Sequence, residues 1–214
     1  MLINLSTLYQ HVRGVVHVGG HHGQECHTYF QHGISNVCVF EPVSAHYEIM
    51  EQNLSIWKDK NIKMFDVALG SEKKQETINL SDFIGENAHL YKGQSSSILK
   101  PKKHLEQYEH ITFGETEQIE VHVLDQFAKE NNINPLDYDL MNIDVQGYEL
   151  EVLKGSDSFL KEMRFVYCEV NRDEVYENCP MVEDIDNFLE KYGFSRAATD
   201  WAGETWGDAL YVKQ

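Results

Sequence analysis

No apolar run in this chain approaches the roughly eighteen residues that a membrane-spanning helix needs. Its first nine residues lack the basic start of a secretory leader, so a cytoplasmic protein is expected, with no membrane partner. Cysteine is scarce, and Cys26, Cys38, Cys168 and Cys179 are widely spaced with no CxxC pair. Cys38 and Cys168 lie inside apolar, strand-like runs and read as small buried hydrophobes in a reducing compartment. Positive charge is also short: Lys and Arg number 18 against 35 Asp and Glu, a formal net charge of -17. Phosphate repulsion argues against a nucleic-acid or anionic-membrane binder, since only a strong local basic patch would overcome it. GxGxxG is missing as well. GGHHG stands after the first β-type run, which counts against an NAD-dependent oxidoreductase.

What is present is a globular composition, 42% hydrophobic and 25% charged, in 214 residues. That length suits one domain with a full core, spanning residues 1–214, and would cramp two. The chain is organised around residues 15–25, VVHVGGHHGQE. A β-branched run from Gly14 to Val18 meets a loop punctuated by Gly19, Gly20 and Gly23, and helical spacing begins at Gln24. Glycines let a ligand approach the backbone, and a helix start offers unpaired N–H groups. A second apolar run, Val37 to Phe40, ends in Glu41-Pro42, about twenty residues on, where a carboxylate can accept from both hydroxyls of a ribose. The structural alternative is that any α/β protein has Gly-rich turns of this kind.

Strand and helix patterns then alternate. Ser44 can cap a helix carrying Ile49, Met50, Leu54 and Trp57. Residues 62–69 form a third strand candidate, and 76–80 and 117–123 look extended. Between them, residues 81–116 have no sustained period and read as an irregular insertion. It carries Lys92, Lys100, Lys102 and Lys103, either as a solvated loop or as an acceptor-side lid attracting an anionic substrate. A short helix at 124–128, a strand at 138–145, a helix at 148–155, a strand at 165–170 and a helix at 182–192 follow. Residues 194–198 and 209–212 supply the last strands. This alternation predicts an α/β fold with a mostly parallel sheet and ligands beyond the carboxyl ends of its strands. His17 to His21, Glu41, Asp66 to Ala68, Asp144 and Glu169 to Asn171 then share one rim. Singly, each has a structural reading: Asp66 and Asp144 as caps, Glu169 as a partner of Arg164 or Arg172.

One adenosine needs one ribose acid, at Glu41, and an adenine contact near Asp66, so an S-adenosylmethionine site fits this rim better than a dinucleotide site. The stretch MNIDVQGYELEVLKG, residues 141–155, resembles the signature of FkbM-type methyltransferases: an aspartate ending a strand, then x-Glu-Gly, a glutamate and Val/Ile-Leu-x-Gly. VVHVGGHHGQE resembles the family's cofactor loop, VFEP its ribose-binding strand end and DVALG its adenine-side strand. SSSIL, VLDQF and FVYCEVN match further elements, so the resemblance runs from about Val15 to Phe194. It implies a class I methyltransferase fold, a Rossmann-like three-layer sandwich, with S-adenosyl-L-methionine as methyl donor. It also implies O-methylation of a hydroxyl on a sugar, glycan or other small molecule. Three departures stand out: Gln146 for the usual glutamate, His17 for an aspartate and Gly20 for an alanine.

Carried onto this chain, the family roles place Gly19, Gly20 and His21 on the methionine and ribose side, with His17 and Gln24 in the same loop. Glu41 takes the ribose hydroxyls, and Asp66, Val67 and Ala68 the adenine side. Asp144 either accepts the acceptor's proton, the preferred role, or holds the donor's amino group. Asp144, Glu169 and Asn171 could instead offer oxygen ligands to Mg2+, by analogy with catechol-type methyltransferases. His17, His21, His22 and His27 crowd the first loop, but their spacing crosses a strand boundary, and hydrogen bonding within the loop is expected rather than zinc. Trp201, Trp206 and Tyr91 could form a platform for a sugar ring, against the commoner reading as buried aromatics. A non-catalytic module that keeps the adenosine pocket is the rival from another class, with Gln146 as its hint.

Overall fold

The computed structural model describes residues 5–85 and 92–214. Apolar runs made largely of β-branched residues form the centre of a seven-stranded sheet: β1 (Gly14–Val18), β2 (Asn36–Phe40), β3 (Asn61–Phe65), β7 (Leu140–Ile143), β8 (Phe165–Asn171), β9 (Phe194–Ala202) and β10 (Trp206–Lys213). Their order is β3-β2-β1-β7-β8-β10-β9. The pairs from β3 through β8 are parallel, while β10 runs antiparallel to both β8 and β9. Every residue of β1 and β7 is buried, because strands covered on both faces have no side to give to water.

Two-residue alternation divides those side chains between two cores. Val16, Val18, Phe40, Met141, Ile143, Val166 and Cys168 point one way, onto α5 (Leu124–Glu130), α6 (Glu149–Lys154), α7 (Asp157–Glu162) and α8 (Val182–Glu190). Val15, Val37, Val39 and Leu140 point the other way, onto α1 (Leu5–Tyr9), α2 (Gln24–Gln31) and α3 (Ser44–Leu54). The result is the three-layer arrangement expected from the alternation. All four cysteines are buried and unpaired. Among the described residues, no helix is long and apolar enough to cross a membrane.

A smaller sheet, ordered β4-β6-β5, joins β4 (Ala68–Leu69), β5 (Lys74–Phe83) and β6 (Ile111–His122). Here the structure departs from the sequence reading. The candidate strand at 62–69 splits: β3 ends at Phe65, and Ala68 and Leu69 pair with Val121 and His122 in the second sheet. Nor is the stretch 81–116 irregular throughout. β5 runs to Phe83, α4 (Lys103–Gln107) interrupts it, and β6 starts at Ile111, paired with Phe83. Tyr91 lies outside the described residues. Of its lysines, Lys102 pairs with Glu174 and Lys103 with Asp173, which spends their charge on the loop after β8. The helices α1 and α7, five and six residues long, are too short for a sequence period to show.

Register sets up the site. Val18 is level with Phe40 of β2 and with Ile143 of β7. The chains therefore leave the sheet together, at Gly19, Glu41 and Asp144. Gly19 and Gly20 both donate their N–H to the Phe40 carbonyl, at 3.0 and 2.9 Å. A Cβ on Gly20 would stand 2.4 Å from Val39 Cγ2 and 2.9 Å from Met50 Sδ, so this glycine is required by packing under α3. Gly20→Ala is expected to lower stability by about 1–3 kcal/mol, the cost of overpacking a filled core. An unchanged urea midpoint would contradict that.

Candidate active site

Strand order reverses between β1 and β7, and at such a switch point the diverging chains leave a crevice. A cavity of about 580 Å3 occupies it. Of the residues expected at a cofactor site, His17, Gly19, His21, Gln24, Glu41, Val67, Ala68 and Asp144 line this cavity. Gly20 and Asp66 do not. Gly20 is packed beneath the loop, and Asp66 stands exposed just beyond β3, where the chain turns over toward the second sheet. Gly19, at φ +90°, could carry no side chain: its Cβ would fall 1.8 Å from the carbonyl oxygen of Asp144.

Glu41 is almost wholly buried, and its carboxylate is held by two backbone donors, His21 N–H to Oε2 and Val43 N–H to Oε1, both at 2.8 Å. Each oxygen keeps a lone pair for a further donor. Burial pushes the Glu41 pKa up to about 7, against those two hydrogen bonds. Ser44 does not cap α3 with its side chain. Instead its N–H and hydroxyl both donate to Glu117 Oε1 from β6, at 3.1 and 2.5 Å. His17 is buried on the α2 face, where the Tyr29 hydroxyl, itself accepting from Asn142 Nδ2, donates to His17 Nδ1. His27 is turned away onto the indole N–H of Trp57. The four first-loop histidines therefore do not share a centre.

Across the cavity, Asp144 faces open space while protein surrounds it on its other sides, and that desolvation raises its pKa. Its neighbour Glu169 is buried and raised well above the usual range, first by burial and then by the charges of Asp144 and Glu149. Gln146 makes this pairing tolerable. Its amide nitrogen donates to Asp144 Oδ1 at 2.7 Å and to Glu169 Oε2 at 2.8 Å, and its carbonyl oxygen accepts from the Tyr176 hydroxyl at 2.8 Å. A glutamate could give neither donation. Gln146 and Gly147 sit at φ +55° and +98°, and Glu149 Oε1 ties down the turn by accepting from the N–H of Val145 and Gly147. Burial raises the Glu149 pKa to about 7.

The oxygen set considered for Mg2+ does not converge. The Gln146 amide stands between Asp144 and Glu169, and Asn171, fully buried, is not part of the cavity wall. The outer wall is only partly legible in the sequence, where Trp206 stands as a candidate platform for a ring and residues 95–99, SSSIL, as a family element. It includes Ser95, Ile98, His104 and Tyr108 from the 92–111 segment, and Trp206 with Asp208 from β10. Trp206 donates its indole N–H to the Tyr108 hydroxyl at 2.8 Å, so it does reach the cavity. Trp201 lies instead beneath the Arg172 guanidinium, 3.5 Å from its ring centre, and does not line it. His104 is buried with Nδ1 unpaired, and burial lowers its pKa to about 4, so it is neutral at pH 7. No local pattern announces His104, Tyr108 or Asp208 as cavity residues, because they meet the rest only through the second sheet and the β9–β10 hairpin.

Seven strands in this order, six helix-flanked segments running one way and one antiparallel strand inserted near the edge, define a class I methyltransferase fold. The model of the methyltransferase FkbM domain matches residues 17–196, and the chain belongs to that family. The 2-O-methyltransferase NoeI of Sinorhizobium fredii (strain NBRC 101917 / NGR234) is 30% identical over 116 residues, covering 54% of this chain and 46% of that protein. The chain thus matches about half the length of this relative. Among solved structures, methyltransferase FkbM from Methylobacillus flagellatus KT superposes with a TM-score of 0.60 at 14% identity, covering 94% of this chain and 43% of that one. Streptococcus pneumoniae Sp1610 in complex with S-adenosyl-L-methionine superposes with a TM-score of 0.51 at 13% identity, covering 100% and 73%. At these identities the likeness is one of fold.

Gln146→Glu removes both donations and adds a third carboxylate to the group. A loss of about 1–3 kcal/mol is expected at pH 8, the scale of hydrogen-bond acceptors left without their donor. Because crowding raises folded-state carboxyl pKa values, stability falls as pH rises through them, and the variant should lose more than the unaltered chain between pH 5.5 and 8. Superimposable urea curves at both pH values would contradict this.

Proposed function

We propose that this chain is an S-adenosyl-L-methionine-dependent O-methyltransferase acting on a hydroxyl of a sugar, glycan or other small molecule. The observation that carries the proposal is the placement of two carboxylates across one cavity, Glu41 at the tip of β2 and Asp144 at the tip of β7. The residues present fit the cofactor. Glu41 is desolvated, fixed by two backbone N–H groups and left with acceptor capacity for a diol. Gly19 lets the β1 turn close on Asp144, and Val67 and Ala68 give an apolar wall on the side of β2 and β3 for a planar base.

When bound, S-adenosyl-L-methionine supplies a methyl group on a sulfonium, transferred by in-line displacement. The chain's task is then to position the partners and to deal with one proton. Asp144, open to the cavity and with its pKa raised by burial, accepts the proton of the acceptor hydroxyl. Gln146 holds one oxygen of Asp144 and leaves the other for that proton. Trp206, Tyr108 and His104 offer an aromatic and polar wall suited to a hydroxylated ring, and the likeness to a 2-O-methyltransferase supports a hydroxyl acceptor. The chemistry of this wall among the described residues, aromatic and acidic, favours a neutral acceptor over an anionic one.

Glu41→Ala is expected to weaken S-adenosyl-L-methionine binding tenfold or more in calorimetric titration, as the loss of charge-assisted hydrogen bonds worth about 1.5–3 kcal/mol requires. Unchanged affinity would remove the ribose assignment. Asp144→Asn should keep the cofactor and lose most methyl transfer, followed as labelled methyl on the acceptor. Since the Glu41 pKa lies at about 7, its ionised, accepting form grows as pH rises. Cofactor affinity should therefore strengthen from pH 6 to 8, and flatten in Glu41→Gln; the opposite slope would contradict the role.

A further inference from the structure

Separate from the cavity's acids, three imidazoles meet where the loop after β1 packs on α3. His21 and His22 stack with ring centres 3.8 Å apart, and His46, from the first turn of α3, lies 4.4 Å from the first and 5.0 Å from the second. One ring nitrogen from each lies within 4.8 Å of the others, the only such group of histidine, cysteine or acidic side chains among the described residues. We propose that His21, His22 and His46 form a binding site for one divalent transition-metal ion of the Zn2+ class, tying the cofactor loop to α3.

The hydrogen bonds already present orient the rings for that task. His21 Nε2 donates to the Lys92 carbonyl at 2.9 Å, which leaves Nδ1 as the lone-pair nitrogen, now accepting from Gln24 Nε2 at 3.1 Å. A ligating histidine commonly has its other N–H bound to a carbonyl in this way. His22 Nε2 and His46 Nδ1 point at one another across 3.0 Å, sharing a proton. Two imidazoles on a tetrahedral Zn2+ with bonds of about 2.0–2.1 Å stand roughly 3.3 Å apart. An ion can therefore take the place of this hydrogen bond with a shift of a few tenths of an ångström, the donor ring carrying its proton on its other nitrogen instead, and side-chain rotation brings in His21.

His46 is buried and its far edge is backed by Gly93, where a Cβ would fall 1.9 Å from His46 Nε2, so the ring cannot swing outward on that side. Three neutral nitrogens with no thiolate select a borderline ion such as Zn2+ over Mg2+ or Ca2+. The charges around the site are mixed. The Lys92 ammonium is turned toward Asp82, at 4.0 Å, and the Glu41 carboxylate approaches from the opposite side through the His21 N–H. His21 and Gly93 also line the cavity, so the ion would sit at its rim and leave its fourth position to water or ligand.

The test is a calorimetric titration of Zn2+ into the tag-free, chelator-treated full chain, with melting temperature as a second readout. One ion per chain is expected, with a higher Tm in its presence. His22→Gln and His46→Gln should each weaken binding at least tenfold and abolish the Tm rise. His22 is only half-buried, so its variant should keep the fold, which circular dichroism checks. No stoichiometric uptake by the unaltered chain, or undiminished affinity in either folded variant, overturns the proposal.

Discussion

The contact on which the site depends is backbone against backbone: Gly19 lies so close to the Asp144 carbonyl that no side chain could come between them. It is reinforced by the Asp144 N–H donating to the Val18 carbonyl at 2.9 Å. That closeness is a product of parallel pairing in register between β1 and β7, the two strands from which the chain winds outward in opposite directions. Because β2 is level with β1 on the other side, the same register brings Glu41 to the rim at the same height. A one-residue slip in either pair would exchange the side chains facing the two helical layers, so the two cores and the site are fixed by one choice.

Around that crossing the chain gathers acids that water would normally keep apart. Asp144, Glu149, Glu169 and Asp208 all have their pKa values raised, each in first place by burial. What holds them is a set of neutral donors: the amide of Gln146 between Asp144 and Glu169, and backbone N–H groups on Glu149. This gives Gln146 a positive structural role. The glutamine that stands where the family resemblance has a glutamate supplies two hydrogen bonds that a carboxylate cannot make.

The sequence made the central strands, the larger helices and the rim legible, because two-residue and helical periods act locally and the Gly-rich loop and Glu41 announce themselves at strand ends. The split at Asp66 was hidden, since β4 belongs to another sheet only by virtue of its partner in β6, fifty residues away in the chain. Ser81 to Phe83 and Ile111 to Thr116 were hidden for the same reason: alternation is weak where a two-stranded ribbon is half-exposed. Trp206 stands out as an aromatic candidate, but the place of His104 and Tyr108 beside it, and the meeting of His46 with His21 and His22, carry no local signature at all. Such groups exist only once helices are laid on the sheet.

Catalysis as proposed requires the switch-point cavity to receive a nucleoside through its sugar. A crystal structure of the chain grown with S-adenosyl-L-homocysteine tests this most directly. Both ribose hydroxyls are expected within hydrogen-bond distance of the Glu41 carboxylate, with the sulfur facing the Asp144 side. An empty cavity at saturating ligand, or a nucleoside bound away from Glu41, would contradict it.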